Sequence, residues 1–405
     1  MAVGERSAQR LRPVAGVRLG TVAVGIRKPD RPDLVLFELA EGTHCSALLT
    51  RNRFRAAPVL VTEQHLAASG QVRYWLVNTG CANAGTGAQG VRAALSCARR
   101  VAEQGHCAVS EVLVFSTGVI GEPLPVDRIV EAVPQAFAEL AGDAWEAAAC
   151  GIMTTDTRPK GTSRVLNIAG QPVTLTGIAK GAGMIRPDMA TMLAFLATDA
   201  VLEPDWAAQA LRAAVDASFH RITVDGDTST NDACVLAATG RSGVRVDAAE
   251  DGGRCFVAAL TEVCQSLARA IVCDGEGATR LVSVDVIEAA DAAEAARVAF
   301  TIAESPLVKT AVFAGDPNWG RILAAVGRAG VADMDVDRVR IYLDDLCVAE
   351  NAARSQHYQE SQAVARMSAE EVRIRVALGR GDAATRVWTC DLSYDYIKIN
   401  AEYRS

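Results

Sequence analysis

Hydrophobic residues recur along this chain with both helical and strand periods. Residues 73–78 and 111–115 are short, mostly apolar runs, which predicts buried strands. In residues 254–272 the apolar side chains recur every three or four positions, which predicts an amphipathic helix. Residues 88–104 and 205–219 show the same helical spacing. Helices and strands are therefore expected to be mixed along the whole chain.

Two further segments, residues 282–286 and 372–378, have an aliphatic side chain at every second position. This period of two predicts strands with one face buried and the other wet or covered by polar groups. The pattern favours an α/β (α+β) architecture of mixed and antiparallel sheets layered with helices. Seams between lobes are expected at residues 185–191 and 289–293, which predicts a C-terminal lobe from about residue 290, led by a helix at 294–304.

Length and charge narrow the classes of function. The chain has 405 residues and a formal net charge of −7, which suggests two or three lobes and disfavours binding to nucleic-acid phosphates. No apolar run approaches the roughly 20 residues that span a bilayer, and the N-terminus lacks the apolar region of a secretory signal. The 11 cysteines include no CxxC pair, which is typical of reduced thiols. We expect a cytoplasmic protein with no nucleic-acid or membrane partner.

The common catalytic motifs are absent. The five histidines form no HExxH motif and no zinc spacing with cysteine, and there is neither a GxSxG elbow nor a Walker A loop. Residues 85–90 match GxGxxG, but an extra loop precedes them and the next strand has no acid at its end, which favours a tight glycine turn over a dinucleotide site. Asp225 and Asp227 lack further carboxylates at calcium-loop spacing, so no metal is predicted.

The segment from Lys180 to Asp199 carries the strongest chemical signal. Glycines and a proline crowd before Thr191, and a hydrophobic, strand-like run follows it. If the bond between Ala190 and Thr191 is cut, the threonine gains a free α-amine, whose reference pKa of about 7.7–8.0 allows it to take the hydroxyl proton. One residue then supplies both nucleophile and base. From composition alone, the favoured interpretation is a buried strand threonine after a loop.

This segment resembles the cleavage-site signature of the ornithine acetyltransferase family, in which a glycine-rich lead precedes Met-Ala-Thr-Met-Leu. The resemblance runs from about residue 13 to the end of the chain, through further motifs in the family's order. These motifs are Ser116-Thr-Gly-Val-Ile-Gly121, Met153-Thr-Thr-Asp-Thr157, Thr223-Val-Asp-Gly-Asp-Thr-Ser-Thr-Asn-Asp232, Asp274-Gly-Glu-Gly-Ala-Thr279, Ser305-Pro-Leu-Val-Lys-Thr310, Gly315-Asp-Pro-Asn-Trp-Gly-Arg321 and Ile399-Asn-Ala-Glu-Tyr-Arg-Ser405. Several motifs in one order are more specific than any single motif, and they imply the ornithine acetyltransferase/DmpA-like fold.

The resemblance implies transfer of the acetyl group of N2-acetyl-L-ornithine to L-glutamate in arginine biosynthesis. The precursor would cut itself into an α chain of residues 1–190 and a β chain of residues 191–405, which assemble as a heterotetramer of two chains of each kind. The fold lobes would then span the cut. No metal or organic cofactor is implied, although acetyl-CoA serves some family members as a second acetyl donor.

The resemblance also assigns residues to roles. Thr191 matches the nucleophile and, with Ala190, the cleavage site, while Thr117 and Gly118 match the oxyanion-hole pair. The residues that match substrate-binding positions are Thr154, Lys180, Thr191, Glu276, Asn400 and Ser405. A lysine, a glutamate and neutral polar groups suit the charged ends of an amino-acid substrate.

Two other functions stay open at this point. A related threonine-nucleophile amidase or peptidase would release acetate or an amino acid without glutamate. A degenerate, uncut scaffold protein would run as a single full-length band on a denaturing gel. The chain also departs from the family pattern, because Cys81 and Asp188 stand where asparagine is usual, and Asp188 adds a negative charge three residues before Thr191.

Overall fold

The computed structural model of the chain describes residues 3–4, 10–27, 29–186 and 192–402. The chain forms two units, which are described in turn. The larger unit comprises Ser7–His220 and Asp227–Ile271, and the smaller unit comprises Met1–Arg6, Arg221–Gly226 and Val272–Ser405. The smaller unit thus begins ahead of the seam expected near residue 290, and the residues that flank 185–191 belong together to the larger unit.

Nine strands and six helices make up the described part of the larger unit. The strands are β1 (Val17–Val22), β2 (Leu34–Leu39), β3 (His44–Leu49), β4 (Tyr74–Cys81), β5 (Val112–Val119), β6 (Lys160–Ile168), β7 (Gln171–Lys180), β8 (Leu193–Thr198) and β9 (Ala233–Ala238). The helices are α1 (Ala57–Ala68), α2 (Gly87–Gly105), α3 (Val126–Ala138), α4 (Trp145–Gly151), α5 (Pro204–Asp216) and α6 (Asp251–Cys273), the last of which ends in the smaller unit.

Two sheets of the larger unit pack face to face. The first has the order β1-β2-β4-β5, with only β4 and β5 parallel, and the second has the order β3-β9-β8-β7-β6, with only β8 and β9 parallel. Between them, the ring of Phe195 on β8 lies 5.2 Å from Phe37, 5.8 Å from Trp75 and 5.1 Å from Phe115. These large buried side chains contribute apolar contact area between the two sheets.

Helices cover the outer faces of both sheets. Helices α1, α2 and α3 pack on the first sheet, where the apolar face of α2 is buried as its periodicity predicts. On the second sheet, Val263 and Leu267 of α6 lie against Gly177 of β7. Among the described residues, α6 is the one helix long and apolar enough to cross a membrane by length and composition, but half of that stretch is buried. Because α6 covers a sheet of the larger unit, its apolar character has an explanation within the fold.

The described part of the smaller unit contains one six-stranded sheet and five helices. Its strands are β10 (Leu281–Ala289), β11 (Arg340–Leu343), β12 (Leu346–Glu350), β13 (Ala353–Arg354), β14 (Glu371–Ala377) and β15 (Ala383–Cys390), in the order β13-β12-β11-β14-β10-β15. Its helices are α7 (Ala292–Ala303), α8 (Pro306–Ala314), α9 (Trp319–Gly327), α10 (Glu360–Met367) and α11 (Tyr394–Ala401). Strands β10 and β14, which the alternating pattern predicted, pair in parallel.

The alternating polar positions of β10 are covered rather than wet. Asp285 is 4% exposed and accepts hydrogen bonds from Arg373 on β14 and Arg386 on β15. The opposite face, with Val284 and Val286, lies in the apolar core of the unit. The predicted α/β architecture of mixed and antiparallel sheets layered with helices is confirmed.

Candidate active site

The carboxyl end of β5 carries the Ser-Thr-Gly turn that the sequence singled out. Gly118 has a φ of 134°, a value that side-chain-bearing residues rarely adopt. A Cβ at this position would lie 2.3 Å from the carbonyl carbon of Gly80 on β4, where the pairing of the two strands is irregular. Only glycine fits here, so the backbone of the turn is fixed by its contact with β4.

Buried amides hold this strand end in place. The Ser116 hydroxyl donates to Asn78 Oδ1 at 2.6 Å, and Asn78 Nδ2 donates to the Cys81 carbonyl at 2.9 Å. Asn231, in the loop before β9, donates to the carbonyls of Ala82 and Ser116 at 2.7 and 2.9 Å. Because buried polar groups are costly unless they are hydrogen-bonded, this satisfied network specifies one conformation of the strand end.

Lys180 connects the second sheet to this turn. It is the last residue of β7, it is partly buried, and its Nζ donates a hydrogen bond to Thr117 Oγ1 at 3.1 Å. In the antiparallel ladder between β7 and β8, Lys180 pairs with Leu193. The strand β8, which follows Thr191 in the sequence, therefore begins beside the lysine that contacts Thr117.

A fully buried ion pair lies next to Lys180. The carboxylate of Asp156 has no exposed surface, and its Oδ1 accepts hydrogen bonds from Lys160 Nζ at 2.6 Å and from the Gly181 amide at 2.7 Å. Burial alone would raise the pKa of Asp156. The charges of Lys160 and Lys180, together with the hydrogen bonds from Lys160 and Gly181, outweigh burial and hold that pKa well below its usual range.

The same carboxylate shapes the turn that contains Thr154. Asp156 Oδ2 accepts a hydrogen bond from the Thr154 amide at 2.9 Å, and the Thr154 carbonyl accepts one from Arg31 Nη1 at 3.0 Å. Both contacts use the backbone of Thr154. They orient the turn independently of the threonine side chain, which is partly buried.

In the smaller unit, two of the predicted binding residues contact each other. Glu276 is 8% exposed, and Asn400 on α11 donates a hydrogen bond to its Oε2 at 2.8 Å. The start of α11 is held close by Ser393, whose hydroxyl donates to the Gly277 carbonyl at 2.6 Å. Gly277 has a φ of 72°, and a Cβ there would lie 2.5 Å from the Tyr396 amide nitrogen. The glycines beside Glu276 thus permit the close approach of α11.

The structure groups the predicted site residues as follows. In the larger unit, Lys180 donates to Thr117 and is attracted by the charge of Asp156, which accepts the Thr154 amide; Gly118 follows Thr117 in the chain. Glu276 and Asn400 form a pair in the smaller unit. Ala190, Thr191 and Ser405, and also Asp188, lie outside the described residues.

Residues that the sequence did not assign to the site complete the group in the larger unit. Asp156 lies within the motif Met153–Thr157, and Lys160 follows that motif. Their opposite charges four positions apart were the one sequence feature that could have indicated an ion pair here. No group of three or more His, Cys, Asp or Glu that could hold a metal ion occurs among the described residues. The absence of a metal or organic cofactor stays a prediction.

Nine of the eleven cysteines are buried or partly buried, and two are exposed. No disulfide joins the eleven of them, all of which the structure describes. Burial raises the pKa of Cys97 and Cys264 to about 12, so their reactive thiolate forms are scarce at neutral pH. Cys81, which stands where asparagine is usual in the family, is buried and contacts the Glu122 carbonyl through its sulfur at 3.5 Å.

The GxGxxG stretch forms a turn that leads into α2. Gly85 has a φ of 69° and Gly87, the first residue of the helix, has a φ of 56°. The side chains of Thr86 and Asn83 occupy the space that a Cβ at Gly90 would need, and the Thr86 hydroxyl donates to Asn83 Oδ1 at 2.9 Å. These internal contacts account for the glycines without a nucleotide.

Comparison with known proteins adds independent findings. The model of the ArgJ family matches residues 18–405. The arginine biosynthesis bifunctional protein ArgJ of Pseudomonas fluorescens (strain Pf0-1) is 50% identical over 409 residues, which cover 100% of each chain. The corresponding protein of Methylococcus capsulatus is 53% identical over 399 residues, 98% of this chain and 97% of the relative. A solved structure of ornithine acetyltransferase complexed with ornithine, from Mycobacterium tuberculosis, is 36% identical, covers 45% of this chain and 97% of its own, and has a TM-score of 0.41.

Proposed function

The chain belongs to the ArgJ family, and on this premise we propose that it transfers the acetyl group of N2-acetyl-L-ornithine to L-glutamate in arginine biosynthesis. The observation that carries the proposal is the placement of Lys180. This lysine pairs with Leu193, the start of the strand that follows Thr191 in the sequence, and its ammonium donates to Thr117. It links the strand behind the cleavage motif to the residue that matches the oxyanion hole.

The proposed reaction begins with self-cleavage between Ala190 and Thr191. The freed α-amine of Thr191 takes the proton of its own hydroxyl, and the hydroxyl oxygen attacks the acetyl carbonyl carbon. The negative charge that develops on the carbonyl oxygen accepts hydrogen bonds from the Thr117 hydroxyl and the Gly118 amide. When the intermediate collapses, the bond to the ornithine nitrogen breaks, and that nitrogen takes the proton from the Thr191 ammonium.

The second half of the proposed cycle uses the same groups in reverse. The amine of glutamate attacks the acetyl ester on Thr191, and the Thr191 α-amine takes its proton. When this intermediate collapses, the bond to the Thr191 oxygen breaks, that oxygen takes the proton back from the α-ammonium, and N-acetylglutamate leaves. This is a ping-pong sequence without metal or organic cofactor. Substrate-binding roles for Thr154, Lys180, Glu276, Asn400 and Ser405 belong to the proposal as well. Both relatives are named bifunctional proteins, which supports acetylation of glutamate from acetyl-CoA as a second activity.

Strand pairing supports the proposal that the α and β chains stay together after the cut. The second sheet of the larger unit interleaves strands from both sides of residue 190, because β8 pairs with β7 and β9 pairs with β3. Cleaving one peptide bond leaves these ladders in place. The proposed assembly is a heterotetramer of two α and two β chains in the cytoplasm.

The proposal is tested on purified protein by a denaturing gel, N-terminal sequencing of the fragments, and an assay for ornithine release with and without glutamate. We expect two fragments, the second starting at Thr191. Without glutamate, ornithine release should stop once Thr191 is acetylated, and sustained release should require glutamate. Thr191→Ala should abolish both cutting and turnover, whereas Thr191→Ser, which keeps a hydroxyl, should retain both at a reduced rate. Uncut chain with full activity would contradict the threonine mechanism, and acetate release without glutamate would identify a hydrolase.

A further inference from the structure

The proposed mechanism gives no role to the buried ion pair of Asp156 and Lys160 in the larger unit. Asp156 is a fully buried carboxylate, and its partner Lys160 has 1% of its side chain exposed. A buried ion pair is often no more stable than a well-packed apolar pair of the same volume, because both charges lose their hydration. Stability alone therefore does not explain why this ion pair lies at the start of β6, next to Lys180.

The contacts of Asp156 point instead to orientation. Its Oδ1 accepts the Gly181 amide, which belongs to the peptide group directly after Lys180. Its Oδ2 accepts the Thr154 amide, so one carboxylate fixes the backbone at two positions that match substrate-contacting residues. The Lys180 ammonium is also attracted by the negative charge of Asp156, and it donates to Thr117 Oγ1.

This arrangement constrains the Thr117 hydroxyl. A hydroxyl has one hydrogen to donate, and an ammonium can only donate. While Lys180 Nζ donates to Thr117 Oγ1 at 3.1 Å, the hydroxyl hydrogen has to point away from the lysine. A donor that is already oriented before the charge develops contributes most to catalysis, since it does not have to reorganise during the reaction.

We propose that Asp156 is a positioning residue for acetyl transfer: its buried carboxylate fixes Lys180 on Thr117, and Lys180 in turn aims the Thr117 hydroxyl at the developing oxyanion. Lys160 balances the buried charge. This inference rests on the proposed function of Thr117. The competing explanation is that Asp156 only neutralises Lys160 and has no effect on the reaction.

The two explanations predict a different kcat for the double variant Asp156→Asn/Lys160→Met. It removes both charges of the pair together, so no uncompensated ion is left buried, and the asparagine oxygen can still accept the Gly181 amide. We expect a folded, cleaved protein whose kcat for acetyl transfer is about 10²-fold lower, the scale expected when a reacting group is slightly misplaced. The KM for acetylornithine should rise as well, because the asparagine nitrogen cannot accept the Thr154 amide and Thr154 matches a substrate-contacting position. The fall in kcat, measured at saturating substrates, is therefore the readout that reports on Thr117.

A matched control is available in the smaller unit. Glu294, 5% exposed, pairs with Arg380 at 3.0 Å. The double variant Glu294→Gln/Arg380→Met removes this pair in the same way and should leave kcat unchanged. All rates are expressed per cleaved chain, counted on a denaturing gel, so that a change in self-cleavage is not mistaken for a change in turnover.

Each outcome decides between the explanations. A wild-type protein without acetyl transfer refutes the proposed function, and the positioning role with it. An active wild type, together with a double variant whose kcat stays within about threefold, overturns the positioning role alone. If the double variant does not fold, Lys180→Met and Thr117→Ala are measured singly and combined. If the fold-decreases in kcat of the two single variants multiply in the combined variant, the proposal is overturned. If the combined variant loses no more kcat than Thr117→Ala alone, the proposal is supported, because Lys180 then acts through the Thr117 hydroxyl.

Discussion

Gly118 offers the sharpest test of the proposed oxyanion hole, through the substitution Gly118→Ala. A Cβ at this position would lie 2.3 Å from the carbonyl carbon of Gly80, whereas real Cβ contacts essentially never fall below 3.0 Å. The backbones of β4 and β5 must therefore separate by at least 0.7 Å, the difference between these two distances. A side chain at a φ of 134° adds backbone strain of about 1–3 kcal/mol.

The expected loss of activity follows from that displacement. An oxyanion donor works over a narrow range of about 2.7–3.1 Å, so a shift of 0.7 Å removes one donor. Loss of one donor lowers kcat by about 10²–10³-fold. The measurement is the initial rate of ornithine release at saturating glutamate, normalised to the cleaved fraction, beside the melting temperature of the same sample.

Gly121→Ala is the matched control. Gly121 also has a positive φ, 86°, but a Cβ there would meet nothing within 4 Å. This variant should lose about 1–2 kcal/mol of stability from backbone strain and keep its kcat. A folded Gly118→Ala variant with an unchanged kcat would refute the assignment of the Gly118 amide as an oxyanion donor. Equal losses of kcat in the two variants would show that strain in the loop, and not the position of the amide, limits turnover.

Three further outcomes are expected. Asp188→Asn removes a charge beside the cleavage motif and should speed the appearance of the two fragments on a denaturing gel, or leave it unaltered; marked slowing would mean that the chain is adapted to Asp188. Deleting Ser405 should raise the KM for acetylornithine several-fold with little change in melting temperature, while removal of the first ten residues should leave kinetics unchanged. Because the pKa of Asp156 is depressed, its contribution to the free energy of unfolding is complete above about pH 4 and is lost as the pH falls below that value. Acid unfolding followed by circular dichroism should therefore depend less steeply on pH in Asp156→Asn/Lys160→Met.

Hydrophobic periodicity predicted the elements well in their interiors and less well at their ends. Strands β4 and β5 continue three and four residues past the predicted segments 73–78 and 111–115, to Cys81 and Val119. Their ends are polar in sequence yet buried, because Asn78 and Ser116 satisfy each other across the two strands. A pattern of hydrophobic residues cannot show which polar residues will find partners in the folded chain.

Hydrophobic periodicity predicted less of the candidate site than of the secondary structure. Thr117, Gly118, Thr154 and Lys180 were assigned through the family resemblance. Their grouping depends on contacts between distant segments, of Lys180 with Thr117 and of Gly181 with Asp156. Asp156 and Lys160 are four residues apart, a spacing that usually describes an exposed ion pair on a helix. Here the spacing spans a turn and the first residue of β6, and both side chains are buried. The sequence pattern could not show that the side chains of Asp156 and Lys160 are both buried.

The order of the second sheet bears on the proposed threonine nucleophile, which would act without a histidine. Strand β8 is central: β7 flanks it on one side and β9 on the other, and β3 lies beyond β9. The β7 ladder comes from the chain before residue 190 and the β9 ladder from the chain after it. If the proposed cut before Thr191 occurs, the paired backbone on both sides still fixes the direction of β8. The proposed nucleophile, which would supply its own base, depends more on accurate placement than on additional catalytic groups, and the strand that begins two residues after it is central and has all its residues buried.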